Sequence, residues 1–224
     1  MPRTSMKVAA AVLAGGLSVA ACSSTQLGAA AITGNTRISA TTLTSQVANL
    51  NSAYATDKAK GISPQRPVGQ ETQQVLTWLI LFRVYNEMAT QHGITVTPAQ
   101  ADAERHSFNN EAEQSNVTPQ QFWSAGAALP PDLLPQLYQA AAIQDAVVRQ
   151  ITGGKTPTTS AGKTAVDNQL SHQQCLAAKS LGINVNPQFG EYDYNGFEVV
   201  LAPSTLAANP SPSPSTKVVT TPPC

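Results

Sequence analysis

The stretch from Glu71 to Gln91, ETQQVLTWLILFRVYNEMATQ, has apolar side chains at Val75, Leu76, Trp78, Leu79, Ile80, Leu81, Phe82, Val84, Tyr85 and Met88. At helical spacing these fall on every side, and a helix apolar all round must be enclosed by other elements. A membrane span is not implied: the longest unbroken apolar run, Trp78 to Phe82, ends at Arg83, and a span needs roughly 20 mostly apolar residues. The expected fold is therefore mainly α, a compact helical domain around a buried central helix, with a small β element formed by N- and C-terminal segments.

Upstream of this helix, AAITGNTRI (30–38) places Gly34-Asn35 between two short β-compatible runs, the pattern of a hairpin. Ser39 follows as a helix N-cap, with Ile38 and Leu43 in staple positions and Val47, Leu50 and Tyr54 continuing the stripe, so a first helix is expected to about Tyr54. KAKGISPQRPV (58–68) breaks it. Downstream, Gly93 is expected just past the end of the central helix. Thr97-Pro98-Ala99-Gln100 and Thr118-Pro119-Gln120-Gln121 each put Thr at an N-cap, Pro at N1 and Gln at N3, which is a capping box with a preorganised first turn. The first of these helices is polar and is expected to reach Glu113; the second should be short, ending near Gly126. Asp132–Ile151 reads as a longer amphipathic helix with Leu134, Leu137, Tyr138, Ala141 and Val148 inward. After a polar linker from Gly153 to Lys163, a last helix is expected from about Thr164 to Leu181. There Val166, Leu170, Ala177 and Leu181 share one side and Cys175 lies on the other. A hairpin about Asn195-Gly196 then leads to a closing strand at Phe197–Leu201.

The chain ends carry different signals. MPRTSMKVAAAVLAGGLSVAAC has a basic n-region at Arg3 and Lys7, an apolar stretch from Val8 to Leu17 and small residues before Cys22. This resembles a bacterial lipoprotein signal peptide, with Val19, Ala20 and Ala21 as lipobox and Cys22 as the lipidated residue. The resemblance implies cleavage before Cys22, diacylglycerol on its sulfur and acylation of its amine. Two or more acyl chains suffice for stable anchoring, which one chain does not provide. The expected organisation is a signal peptide at 1–21, a tether at 22–30, a helical domain at 31–202 and a tail at 203–224. In the tail 6 of 22 residues are proline among Ser and Thr, the composition of a disordered segment. Removing the signal leaves 203 residues, enough for one domain with a core. It takes two of the 13 basic residues and no acid, so 11 stand against 13, a net charge of −2. That balance implies neither a nucleic-acid partner nor an anionic surface.

Motifs for chemistry are sparse. Gly154-Lys155-Thr156 and Gly162-Lys163-Thr164 imitate the end of a P-loop, but the first glycine of the motif would fall at Arg149 and Pro157. There is no G-x-S-x-G, H-E-x-x-H or C-x-x-C. No cofactor is implied. His172 and Cys175 lie three apart on one helix, a poor metal site without a second pair. His92 suits a helix C-terminus, His106 reads as solvated, and Glu191 with Asp193 as surface carboxylates of a hairpin. With Cys22 lipidated, Cys175 and Cys224 remain as an even pair, either joined as a disulfide that pins the tail or left as two thiols.

The order of elements, with the run VNPQFGEYD (185–193) followed by Val199-Val200, resembles the SurA N-terminal-domain lipoproteins of actinobacteria. Gln188 and Tyr192 stand where that family's pattern favours Arg and Trp. The resemblance implies that the closing strand pairs with the N-terminal strand, and that the domain is a chaperone-like body outside the cytoplasmic membrane. Its partners would be unfolded or partly folded secreted polypeptides, held in a groove between the helical body and the closing strand. Relatives that isomerise prolyl bonds carry a parvulin domain before the last helix, where this chain has only Gly153–Lys163. No enzymatic activity is therefore expected. Phe122, Trp123 and Tyr138 are the candidate client contacts, weighed against ordinary core packing. The rival expectation is a structural or adaptor lipoprotein that binds one folded envelope partner, with the proline-rich tail reaching or docking.

Overall fold

A computed structural model describes residues 28–201 and Cys224. Cys22 with its signal segment, and the proline-rich stretch up to 223, lie outside the described residues. The described chain is mainly helical, with six α-helices and two small antiparallel sheets.

β1 (Ala29–Thr33) and β2 (Thr36–Ser39) form the hairpin about Gly34-Asn35, Gly34 taking φ 58°. Ala29 and Ala30 are already buried, so the chain enters the core before the tether boundary expected at residue 30. Ser39 Oγ accepts the Thr42 N–H at 2.9 Å and starts α1 (Ala40–Ala59), with Ile38 and Leu43 buried on either side of the cap. α1 runs beyond the expected stop at Tyr54, because Asp57 in its last turns is buried against α4 rather than solvated.

α2 spans Glu71–Gln91, the bounds that its apolar content predicts. It closes at Gly93 (φ 63°), where Ile94 N–H reaches Ala89 O at 2.8 Å and Gly93 N–H reaches Thr90 O at 3.2 Å, both bonds of a Schellman motif. α3 (Pro98–Gln114) and α4 (Pro119–Ala127) both begin with complete capping boxes on Thr97/Gln100 and Thr118/Gln121. α4 passes Gly126 and ends with Ala128 in the left-handed region at φ 52°, a conformation its sequence does not advertise. A 3-10 turn at Pro131–Leu133 leads into α5 (Leu134–Thr152). α6 (Ser160–Leu181) starts four residues before the expected Thr164, because Thr159 Oγ1 caps the Gly162 N–H at 3.0 Å. β3 (Asn184–Val185), β4 (Glu191–Asp193) and β5 (Glu198–Val200) complete the described elements.

The core is built on α2. Val75, Leu76, Ile80, Val84 and Met88 are fully buried among Leu43 and Leu50 of α1, Ile143 and Val147 of α5 and Ala177 and Ala178 of α6. α5 contacts α2, α3 and α6, so its buried positions include Ala140, Ala142, Ile143 and Val147. Ala141 and Val148, expected inward, are only partly buried. Enclosure on several sides replaces the single stripe that an amphipathic reading assumes.

The closing strand pairs differently from the pattern the resemblance implies. β1 is the middle of the sheet β2-β1-β3, and its C-terminal partner is β3, with Ala31 opposite Val185. β5 pairs with β4, Tyr192 opposite Val199. Asn186 explains the arrangement: its N–H reaches Ala30 O at 2.9 Å and its Nδ2 donates to Ala29 O at 3.0 Å, while its Oδ1 accepts the Gln188 N–H at 3.2 Å. One residue, through its backbone N–H and its side chain, thus holds the N-terminal strand and turns the chain away from it before β4 begins.

Candidate functional site

β5 lies along the N-terminal half of α2, held by the Val199 N–H donating to Thr77 Oγ1 at 2.8 Å and by Gln73 Nε2 donating to Phe189 O at 3.3 Å. Between them is a groove of about 380 Å³ lined by Trp78, Leu81 and Val199 together with Gln70, Gln73 and Gln74; Arg66 and Glu198 supply one charge of each sign. Trp78 is fixed there by its indole N–H on Ala127 O at 2.9 Å and by ring stacking on Phe82 at 5.8 Å. Gln74 Nε2 donates to Pro67 O at 3.2 Å, while its Oε1 is buried with no hydrogen-bond partner. An orphaned acceptor in low dielectric favours a donor arriving from outside. Apolar walls beside primary amides, which donate and accept as peptide groups do, can hold an extended polypeptide without reading its sequence.

The expected client contacts sit elsewhere. Phe122 and Trp123 meet edge to face at 5.5 Å, Trp123 meets Phe108 at 5.0 Å, and Phe108 meets Tyr138 at 5.9 Å, forming an aromatic cluster among α3, α4 and α5. Tyr138 is only 8% exposed and belongs to the core cluster of Leu129, Leu133 and Leu137. None of the three lines the groove beside β5. Short α4, docked over α3, brings Trp123 against Phe108, while Phe122 is half-buried beside it. Trp78 and Leu81 are the groove residues that the sequence left undistinguished, since both lie in a helix apolar all round.

A second cleft, of about 360 Å³, opens between α1 and α4 and is lined almost wholly by polar groups. Asp57 is 3% exposed and accepts a 2.7 Å hydrogen bond from the fully buried Ser124 hydroxyl. Gln121 is 8% exposed; its Oε1 accepts the Thr118 N–H at 3.1 Å and its Nε2 has no partner.

Cys175 and Cys224 are joined as a disulfide with Cα atoms 5.6 Å apart. Cys175 is 1% exposed, which corrects its placement on an open side of α6; Lys179 Nζ also donates to Cys224 O at 3.3 Å. The bond closes a separation of 49 residues, and reduction is expected to lower the unfolding free energy by about 2–4 kcal/mol. Denaturant titration with and without a reductant checks this as a shift in midpoint. The bond also removes the Cys175 sulfur from any metal role beside His172, and among the described residues no group of three or more His, Cys, Asp and Glu is placed to hold a metal ion.

His92 is the C-cap of α2 and joins three helices, its Nδ1 3.0 Å from Gln150 Oε1 and its Nε2 3.2 Å from Gln173 Oε1. His106 is exposed. Asp193 Oδ1 accepts the Asn195 N–H at 2.9 Å and shapes the β4–β5 loop, while Glu191 is exposed on β4.

Four tyrosines titrate late, Tyr138 among them through burial. Burial pushes Tyr85 up to about 12, and its hydroxyl donates to Gln144 Oε1 at 3.1 Å. Burial, then the Glu71 carboxylate, pushes Tyr54 up to about 12. Burial and then Tyr194 raise Tyr192, whose hydroxyl has no partner. The fold therefore holds the Tyr85 proton more tightly than the unfolded chain does. Its contribution is whole below the ordinary value of 10.0 and is lost as pH rises towards about 12, costing about 2–3 kcal/mol. Unfolding free energies followed between those pH values, with phenolate absorbance as the second signal, should show stability falling as the tyrosines ionise.

Among the described residues no helix is long and apolar enough to cross a membrane. No protein-family model matches the chain, and neither a curated protein nor a solved structure matches it.

Proposed function

We propose that this chain is a membrane-anchored, extracytoplasmic chaperone-like lipoprotein that holds unfolded or partly folded secreted polypeptides and has no prolyl isomerase activity. The observation that carries the reading is the groove between α2 and β5, with its Trp78 and Leu81 walls, its row of glutamine amides and the unmet acceptor of Gln74. Such a lining favours shape-tolerant contact over recognition of one sequence. The Cys175–Cys224 bond supports an oxidising compartment, and the lipobox before Cys22 supports the anchor. Only Gly153–Thr159 connect α5 to α6, at the place where the isomerase relatives of the resemblance insert a domain.

The test uses a form with residues 1–21 removed and Cys22→Ser. Mixed at equimolar amounts with an unrelated denatured protein, it should suppress aggregation in proportion to its concentration. A folded sample that leaves aggregation unchanged overturns the holding activity.

A second reading has its own observation. The proline-rich segment begins after Leu201 and ends at Cys224, which is bonded to α6, so both of its ends belong to the helical body. That connectivity suits display of the segment to one folded envelope partner, the adaptor role. A single stoichiometric partner recovered from detergent extract, and lost when residues 203–223 are deleted, favours it.

A further inference from the structure

The cleft between α1 and α4 has a chemistry that the polypeptide groove does not use. Its floor is the Asp57 carboxylate, and the one hydrogen bond the structure gives that group comes from the Ser124 hydroxyl at 2.7 Å. A carboxylate this deep, 3% exposed, is costly unless paired or fully hydrogen-bonded. The two ion pairs among the described residues are Arg105–Asp102 and Arg149–Asp145, so Lys60, on the rim of the same cleft, is not paired with it. Gln121 presents the opposite deficit, a buried amide donor with no acceptor. The capping box fixes its orientation, because Oε1 must face the Thr118 N–H at 3.1 Å.

The cleft therefore offers an acceptor site in need of a cation or donor, beside a donor site in need of an acceptor, with one further positive charge at the rim. The rest of the lining is hydroxyl and amide, including Ser52, Thr56 and Asn49, and no aromatic ring lines it. That composition disfavours ligands held by ring stacking, such as nucleobases or sugars on a platform. At about 360 Å³ the space suits a small molecule.

We propose that this cleft binds a small zwitterion of the free amino acid class, its ammonium against the Asp57 carboxylate and its carboxylate against Gln121 Nε2 and the Lys60 ammonium. The Asp57–Ser124 bond then has two roles: it joins α1 to α4, and it holds one carboxylate oxygen so that the other faces the ligand. This site is independent of the polypeptide groove, and either can fail without the other.

The test is titration calorimetry on the full chain in detergent, with a panel of free amino acids, their N-acetyl derivatives and glucose. At least one free amino acid should bind saturably at one site per chain. Acetylation of its amine should weaken binding about tenfold or more, since it removes the charge that meets Asp57. Asp57→Asn, which keeps an acceptor for Ser124, should weaken it by about the same factor. Lys60→Gln, an exposed change that leaves folding intact, should weaken it by a smaller factor and keeps the test decisive should the Asp57 variant not fold. Absence of saturable binding by every free amino acid overturns the proposal. So does binding that is indifferent to acetylation and to Lys60→Gln, or glucose binding at equal affinity.

Discussion

Gly190→Ala is expected to be among the most damaging single substitutions in this chain, lowering the unfolding free energy by about 2–5 kcal/mol. Two independent causes act there. Gly190 has φ 124°, a region that L-residues rarely adopt, and a Cβ at this position would run into the Val200 carbonyl oxygen and crowd Val199 Cγ1 at 3.1 Å. The backbones approach so closely because Glu191 pairs directly with Val200, so β5 passes over the turn that Pro187–Gly190 makes before β4. Relief requires moving β5, and β5 is one wall of the groove. Gly93→Ala is the matched control: it also has a positive φ, of 63°, but nothing lies within 4 Å of the added methyl. It should cost about 1–2 kcal/mol. Urea unfolding of both variants checks the difference as a larger fall in midpoint for Gly190→Ala at an unchanged slope.

Ile80→Ala should cost about 2–5 kcal/mol, by lost transfer energy together with the cavity left behind. Ile80 is fully buried in the cluster that α2 organises, with Leu43, Val84, Ile143 and Val147. Its sequence neighbour Leu81 points into the groove and keeps partial exposure. Leu81→Ala should therefore cost less than about 2 kcal/mol, because only part of its side chain leaves water on folding. Midpoints of chemical unfolding for the two variants separate a residue that builds the core from an adjacent one that borders a surface. Equal losses would mean that the groove face of α2 is as enclosed as its core face.

Much of the fold is legible in the residues themselves. The bounds of α2, the Gly34-Asn35 hairpin and the two Thr-Pro starts of α3 and α4 follow from local signals that act within a few residues. What escapes is set across long separations. α1 continues past Tyr54 because Asp57 meets Ser124, which lies 67 positions away. β5 pairs with β4 rather than β1 because Asn186 has already taken the carbonyls of Ala29 and Ala30. Cys175 is buried although its helical position lies off the apolar stripe, and its bonded partner is 49 residues on.

A groove lies between α2 and the closing strand, while Phe122, Trp123 and Tyr138 pack into a cluster on α3–α5. A helix apolar on every side signals enclosure and does not say which face its neighbours leave open. Trp78 and Leu81 were hidden for that reason.

The most direct test of the account is aggregation suppression by the soluble form carrying Leu81→Asp, measured beside Trp123→Ala. A carboxylate in the groove should abolish suppression per folded molecule, with a smaller fall in melting temperature than Ile80→Ala causes, because Leu81 borders the groove and Ile80 is fully buried. Trp123→Ala should lower the melting temperature through loss of its packing on Phe108 and Phe122, yet retain suppression per folded molecule. Suppression unaffected by Leu81→Asp and lost with Trp123→Ala would contradict the assignment and move client binding to the aromatic cluster.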